Sequence, residues 1–300
     1  MPQTGAMKDY AWLKQIAKEL FSEDEIKDVR RLDGLTNHTY AVTLNCGKYV
    51  FRLPGDGTEE LINRHDEKIS TELASQVGVD VPLIYFNAQT GVKVAEYIDG
   101  ETMSPESMKE NRNVRGAAQL FGKIHNCGKD THIPFEVFDM AKGYEKIISD
   151  NGVSFYDDYA EIRATVMAIK EKIDNINVRK VPCHNDPLCE NWLRCGERMY
   201  LIDWEYAGMN DPMWDLADLS IEAWYDDALD SELLSAYFGR KPDANEILRF
   251  NANKIFLDFL WSLWGKTRVP FDGEEMEKYA YDRYVRMKQN LHALFGSGVK

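Results

Sequence analysis

Cysteine is scarce in this chain: five residues in 300, at positions 46, 127, 183, 189 and 195, with no C-x-x-C pair among them. An odd and sparse set excludes a disulfide-stapled framework and a zinc site built on paired thiolates. The expected role is that of reduced, small apolar side chains. Long apolar runs are missing too. The richest, from Ile255 to Trp264, carries Asp258 and is far shorter than the ~18 residues that span a bilayer. The N-terminal segment has polar and charged residues where a secretory signal needs an uninterrupted apolar stretch. A cytoplasmic protein with no membrane partner is the expectation. Positive charge is in deficit, with 36 Lys and Arg against 50 Asp and Glu and a formal charge of −14. That is the wrong sign for gripping a polyanion, so nucleic acid is excluded as an expected partner. Only 20 Gly and 10 Pro interrupt the chain, which rules out collagenous and low-complexity classes. The remainder is 44% hydrophobic and 29% charged, an ordinary globular balance, and the length suits about two domains or one fold built as two lobes.

The pattern changes along the chain. Residues 8–29 read as a helix. The β-rich runs 38–44 and 49–53 then flank Asn45-Cys46-Gly47-Lys48, a turn suited to a hairpin. A polar helical stretch, 59–76, ends before Gly78, and two further strands, 82–86 and 91–97, flank the turn 87–90. Beyond the polar break at 98–101 the character is mainly helical, so residues 1–100 are expected to form one lobe and 101–300 a second. Within the second, 181–203 is β-like, Asp211-Pro212 opens a helix, and long helices at 243–266 and 273–295 complete the chain.

The unusual chemistry gathers in the β-like interruption. Asp186 precedes Asn191 by five residues in His184-Asn185-Asp186-Pro187-Leu188-Cys189-Glu190-Asn191, and Asp203 follows twelve residues later. Two carboxylates and an amide oxygen can converge from such a segment. Phosphoryl transfer asks little more of a protein: an acceptor that orients the attacking hydroxyl, and oxygen ligands for the magnesium that bridges the phosphates. Asp186 suits the first task and Asn191 with Asp203 the second, because magnesium prefers hard oxygen donors and few carboxylates. The D-x4-N spacing alone is common in acidic chains. The preceding His184, the β-like flanks and the apolar strand ending in Asp203 give it the plan of a kinase catalytic loop and metal-binding strand.

Across residues 31–287, the chain resembles the choline and ethanolamine kinases of the wider aminoglycoside phosphotransferase family, closest to bacterial choline kinases. The segments HNDPLCENWLR and LIDWEYAGMNDPMWDLADLSIEAW carry the likeness. The resemblance implies an α/β (α+β) two-lobed protein-kinase-like fold, with a small antiparallel-sheet N-lobe, a mainly helical C-lobe, and MgATP in the cleft above a choline pocket. In that likeness the turn Gly34-Leu35-Thr36-Asn37 approaches the nucleotide phosphates, although it carries neither G-x-G-x-x-G nor a Walker lysine. Arg52 stands where protein kinases place their phosphate-binding lysine, with fork-shaped donors suited to phosphate oxygens. A helix carboxylate should pair with it: Glu67, with Asp66 and Glu72 as alternatives. Glu96-Tyr97-Ile98 takes the hinge position, where Glu96 and Ile98 meet adenine through main chain. His184 matches a loop histidine and Asp215 an aspartate that supports the loops.

A quaternary ammonium has no proton to donate, so a site for it needs aromatic faces and nearby negative charge. At about 100° per residue, Phe256, Phe259, Leu260 and Leu263 form one apolar stripe, and Leu257, Trp261 and Trp264 a second. Such a helix reads as a core helix buried on two sides. The Trp261-x-x-Trp264 spacing nevertheless resembles the pair that walls the ammonium pocket in choline kinases. Asp215, Asp218 and Glu222 share a helix face, ordinarily a solvated acidic stripe. Glu222 stands at the family's offset for a carboxylate near the cation, and Tyr206 matches a pocket aromatic. The last aromatic of that pocket, expected in the terminal helix, is Met287 here, with Tyr284 nearby on another face. The resulting expectation is an ATP- and Mg2+-dependent choline kinase. The alternatives are a kinase for ethanolamine, aminoglycosides or another small molecule, and a catalytically silent nucleotide-binding scaffold.

Overall fold

In the computed structural model, residues 3–22, 25–32, 37–55 and 63–295 are described. The chain divides into two compact units, residues 1–103 with 190–207, and residues 104–189 with 208–300. Residues 190–207, expected in the helical lobe, fall in the first unit. Backbone pairing draws that segment into the first unit: Thr102 and Glu101 pair with Leu193 and Arg194, and the Leu201 amide donates to the Val79 carbonyl at 3.0 Å. Such ladders between distant residues leave no mark on local periodicity.

In the first unit, helix α1 (Gln3–Phe21) is followed by β1 (Asp28–Arg31), β2 (Asn37–Thr43), β3 (Lys48–Pro54), α2 (Arg64–Gln76), β4 (Leu83–Phe86), β5 (Lys93–Glu96) and β6 (Glu101–Thr102). The sheet is antiparallel in the order β1-β2-β3-β5-β4. The hairpin of β2 and β3 turns where the Asn-Cys-Gly sequence predicts, closed by the Leu44 amide on the Gly47 carbonyl at 2.8 Å. The helix expected over 8–29 stops at Phe21, because residues 28–31 find partners in β2 instead. Leu13, Ile16 and Ala17 recur at helical spacing, and this stripe packs on Tyr40, Val42, Phe51, Leu53, Val92 and Val94 of the sheet. In α2 the Asn63 side chain caps the first turn by accepting from the His65 and Asp66 amides. Its buried face, Arg64, Glu67, Ser70, Thr71 and Ala74, carries charge into the interior. The unit is completed by β8 (Trp192–Cys195) and β9 (Arg198–Leu201), a hairpin beside β6.

The second unit holds α3 (Pro105–Met108), α4 (Asn111–His125), α5 (Val137–Asp150), α6 (Tyr159–Asp174), β7 (Val181–Cys183), β10 (Gly208–Asn210), α7 (Met213–Glu222), α8 (Asp227–Phe238), α9 (Ala244–Asp272) and α10 (Glu274–Phe295). Strand β10, absent from the sequence reading, pairs antiparallel with β7. Helix α9 is the axis: α5, α6, α7 and α10 all pack against it, which is why it is apolar on two faces. Asp258, fully buried in α9, receives a two-pronged hydrogen bond from Arg286 of α10, at 2.7 and 2.8 Å. A buried carboxylate is tolerable only with such a partner. Gly265 lets the same two helices close up, since a Cβ there would lie 2.8 Å from the Tyr279 ring. The mixed α/β character, with an antiparallel sheet first and helices after, is the one expected. Among the described residues, no helix is long and apolar enough to cross a membrane.

Candidate active site

The first unit assembles a buried circuit of charge. Arg52, on β3, directs both guanidinium nitrogens at Glu67 of α2, one of them at 3.0 Å from Oε2. Of the three carboxylates weighed in the sequence, it is Glu67 that Arg52 meets, because Glu67 alone turns inward: it is 1% exposed. The same Arg52 reaches Glu205 Oε1 at 3.2 Å and the Gly91 carbonyl at 3.3 Å. Arg64 then bonds Glu67 at 2.7 Å, Glu205 at 2.9 Å and the Asn37 amide oxygen at 3.0 Å, and Asn37 donates to Glu205 at 2.7 Å. Gly91 is required at its place. It has φ of +72°, and a Cβ there would stand 3.2 Å from Arg64 Nε. Two arginines and two glutamates thus neutralise one another. Burial alone would lower the Arg52 guanidinium, but Glu67 and then Glu205 hold it above its usual range. Burial likewise opposes ionisation of Glu67, and Arg52 with Lys93 reverses this and holds it below the ordinary range.

Asn37 is the one member of the expected phosphate turn among the described residues; Gly34, Leu35 and Thr36 lie outside them. At the expected hinge, Glu96 ends β5 on the surface, and its amide donates to the Pro82 carbonyl at 2.9 Å. Ile98 packs with Val81, Ala95 and Tyr200.

Asn191 closes a one-turn 3-10 helix, and its carbonyl accepts from the Ile202 amide at 2.9 Å. That single bond sets Asn191 beside the residue preceding Asp203. Asp203 has φ of +70°, a left-handed conformation that Asp tolerates better than most residues. The carboxylates of Asp203, Glu67 and Glu205 lie within 4.8 Å of one another. The arginine hydrogen bonds in this cluster go to Glu67 and Glu205. Asp203 and the Asn191 amide together offer the hard oxygen donors that suit magnesium.

The second unit fixes the loop carrying Asp186. Asp215, buried in α7, accepts the His184 and Asn185 amides, both at 2.8 Å, while His125 Nε2 lies 3.0 Å from its Oδ2. His125 Nδ1 is 3.0 Å from the Tyr237 hydroxyl. The carbonyl of Asn185 accepts from the Trp214 indole at 3.0 Å. His184 is fully buried, and its Nδ1 accepts from the Asp186 amide at 3.3 Å, an architectural role. Asn185 is held at φ of +68°, which leaves the next residue, Asp186, half-buried at the tip. Although His125, Cys183 and Asp215 lie within metal-binding distance of one another, Asp215 and His125 are committed to these hydrogen bonds.

From Asp186 the same unit runs on into an aromatic row. Trp261 and Trp264 meet edge to face, with centroids 6.1 Å apart, and Trp264 meets Tyr279 of α10 in the same way at 5.8 Å. Tyr279 escaped the sequence reading; its place one turn before Arg283 on α10 was the available signal. The Arg283 guanidinium lies 5.0 Å from the Tyr279 ring centre and 2.7 Å from Glu222. Glu222 therefore already has a cation, which the sequence did not reveal. The acidic stripe is not solvated: Asp215 and Asp218 are 0% and 1% exposed, because α7 is buried on every side from Met213 to Ile221. Met287 is fully buried, and Tyr284 is turned away to donate to Asp158 at 2.7 Å, so neither adds a ring to the row. Tyr206, half-buried, belongs to the first unit, while Glu222, Trp261 and Trp264 belong to the second.

The profile of the choline/ethanolamine kinase family matches residues 29–235. A solved structure of a choline/ethanolamine kinase family protein from Mesorhizobium loti is 34% identical, with a TM-score of 0.85 over 95% of this chain and 95% of that one. Choline kinase LicA from Streptococcus pneumoniae is 32% identical, with a TM-score of 0.76 over 94% and 99% of the two chains. Protein LicA of Haemophilus influenzae is 28% identical over 259 residues, covering 83% of this chain and 96% of the relative.

The buried circuit yields a stability prediction. Glu67→Gln removes one of the two carboxylates facing Arg52 and Arg64, and breaking a buried pair from one side costs roughly 3 to 5 kcal/mol. Chemical denaturation of the two proteins should show a loss of that size. A loss under about 1 kcal/mol would mean that the arginines do not depend on Glu67.

Proposed function

Because the chain belongs to the choline/ethanolamine kinase family, we propose that it transfers the γ-phosphoryl group of MgATP to the hydroxyl of choline, giving phosphocholine and ADP. The phosphotransferase chemistry follows from the family. The choice of choline rests on one observation, the row of indole and phenol rings that leads from Trp261 and Trp264 to Tyr279 in the unit that carries Asp186. Aromatic faces attract a quaternary ammonium through the ring quadrupole without asking it for a hydrogen bond.

In this reading Asp186 accepts or orients the hydroxyl proton as the oxygen attacks the γ-phosphorus in line. Arg52 steadies the phosphates, its guanidinium held in position by Glu67, and the turn Gly34-Leu35-Thr36-Asn37 covers them. The main chain at Glu96 and Ile98 meets adenine. Asn191 and Asp203 would hold the magnesium, which would supply charge neutralisation at the phosphate oxygens. Tyr206, Glu222, Trp261 and Trp264 surround the cation. We propose the cytoplasm as the place of this reaction, with a small molecule rather than nucleic acid or membrane as the partner.

The testing experiment is ADP release by purified protein with MgATP, comparing choline, ethanolamine and kanamycin against a blank without acceptor. Choline-dependent turnover is expected. A response only to kanamycin would move the acceptor class, and no response to any acceptor would favour a silent nucleotide-binding scaffold. Asp186→Asn should lower turnover by about 100-fold or more while leaving nucleotide binding and melting temperature unchanged; near-normal turnover removes it from the mechanism. Trp261→Ala and Trp264→Ala should each raise the choline KM by an amount worth roughly 1 to 2 kcal/mol, with the ATP KM nearly constant. An effect confined to the ATP KM would place the cation elsewhere.

A further inference from the structure

Three carboxylates on one face of α7 have different fates. Asp215 spends both oxygens on the amides of the catalytic loop. Glu222, one helical turn beyond Asp218, has the charge of Arg283 2.7 Å from its Oε1, although that oxygen makes no hydrogen bond among the described residues. Asp218, between them, is 1% exposed with no ion pair to a cation, and its Oδ2 has no hydrogen-bond partner, among the described residues. Leaving a buried polar oxygen unpaired costs about 1 to 3 kcal/mol, so such an atom in a folded protein calls for an explanation.

The surroundings supply one. Asp218 shares a face of α7 with Glu222, whose partner Arg283 lies over the Tyr279 ring, and the charges nearest in effect to it are Glu222, Asp186, Arg283 and Asp215. The cations of α10 are largely committed there: Arg286 bonds Asp258 through two nitrogens, and Arg283 is shared by Glu222, Asp258 and the Tyr279 ring. Burial first, then repulsion by Glu222 and Asp186, raises the Asp218 carboxyl well above its ordinary range, a penalty that an added cation alongside would offset.

Resting on the acceptor site proposed above, we infer that Asp218 is a specificity-determining residue whose free carboxyl oxygen accepts a hydrogen bond from the N–H of a primary or partly methylated amino alcohol. The aromatic rings attract any ammonium, methylated or not. A quaternary ammonium has no N–H to offer Asp218, whereas a primary ammonium has three. Asp218 therefore widens the acceptor class of the aromatic site toward ethanolamine and its N-methyl derivatives.

The test measures kcat/KM for ethanolamine, N-methylethanolamine, N,N-dimethylethanolamine and choline in the wild type and in Asp218→Asn, together with the ATP KM. The expected result is a loss for ethanolamine at least tenfold greater than the loss for choline, graded through the two intermediates, with the ATP KM unchanged. Equal losses on all four acceptors, or an unaltered ethanolamine-to-choline ratio, would assign Asp218 a purely structural role and overturn the inference. The same ratio measured in Asp218→Ser covers the case in which the asparagine variant does not fold. Absence of acceptor-dependent ADP release by the wild type with all four alcohols would overturn the functional reading itself, and this inference with it.

Discussion

The first unit depends on the mutual neutralisation of Arg52 and Arg64 by Glu67 and Glu205, with Asn37 closing the ring. Each of these side chains alone would be too expensive to bury. Together they join four separate pieces of chain: the β2–β3 hairpin, the start of α2, Gly91 before β5, and the segment after β9. The geometry of Asp203 follows, since it stands two residues before Glu205 on a turn whose far end is anchored to both arginines. The two-pronged grip of Glu67 fixes the direction of the Arg52 guanidinium, which the proposed phosphate role requires.

The second unit applies the same physics with other partners. Backbone amides of the catalytic loop are held by one buried aspartate, Asp215, whose remaining approach is filled by His125. The left-handed backbone at Asn185 is sustained by the Trp214 indole and by Asn210, which donates to its side chain. Strain is thus placed immediately before the residue that must be presented. Further along, α9 and α10 are drawn close at Gly265 and joined through Asp258 and Arg286, which brings Tyr279 against Trp264. In the proposed reading the rings carry the general attraction for a cation, and selectivity among cations falls to Asp218.

Much of this was legible in the sequence, and for physical reasons. Composition and the absence of apolar runs or cysteine pairs bounded the class. Alternation and turn residues located the β2–β3 hairpin, while helical periodicity located α4, α9 and α10. The D-x4-N spacing and the apolar strand ending in Asp203 are local features of loop and strand, so Asp186, Asn191 and Asp203 could be singled out by residue type and distance along the chain. Which of Asp66, Glu67 and Glu72 meets Arg52 was left open by the sequence, and the helix that starts after the Asn63 cap buries Glu67.

The tertiary structure alone decided what depends on pairing between distant residues. That residues 190–207 join the first unit is a matter of strand ladders to β6 and of one amide reaching Val79. Arg64 and Glu205 could not be recognised as partners of Arg52, since nothing in a sequence marks which of many charges will be buried together. Glu222 has Arg283 beside it, and Asp218 is buried because α7 is enclosed on every side, neither of which spacing along the chain reveals. Tyr279 meets Trp264 where a glycine on the neighbouring helix, Gly265, makes room for its ring. Sequence periodicity states which face of an element is apolar; which groups meet across that face is settled by close approach in three dimensions, and there the character of this site was decided.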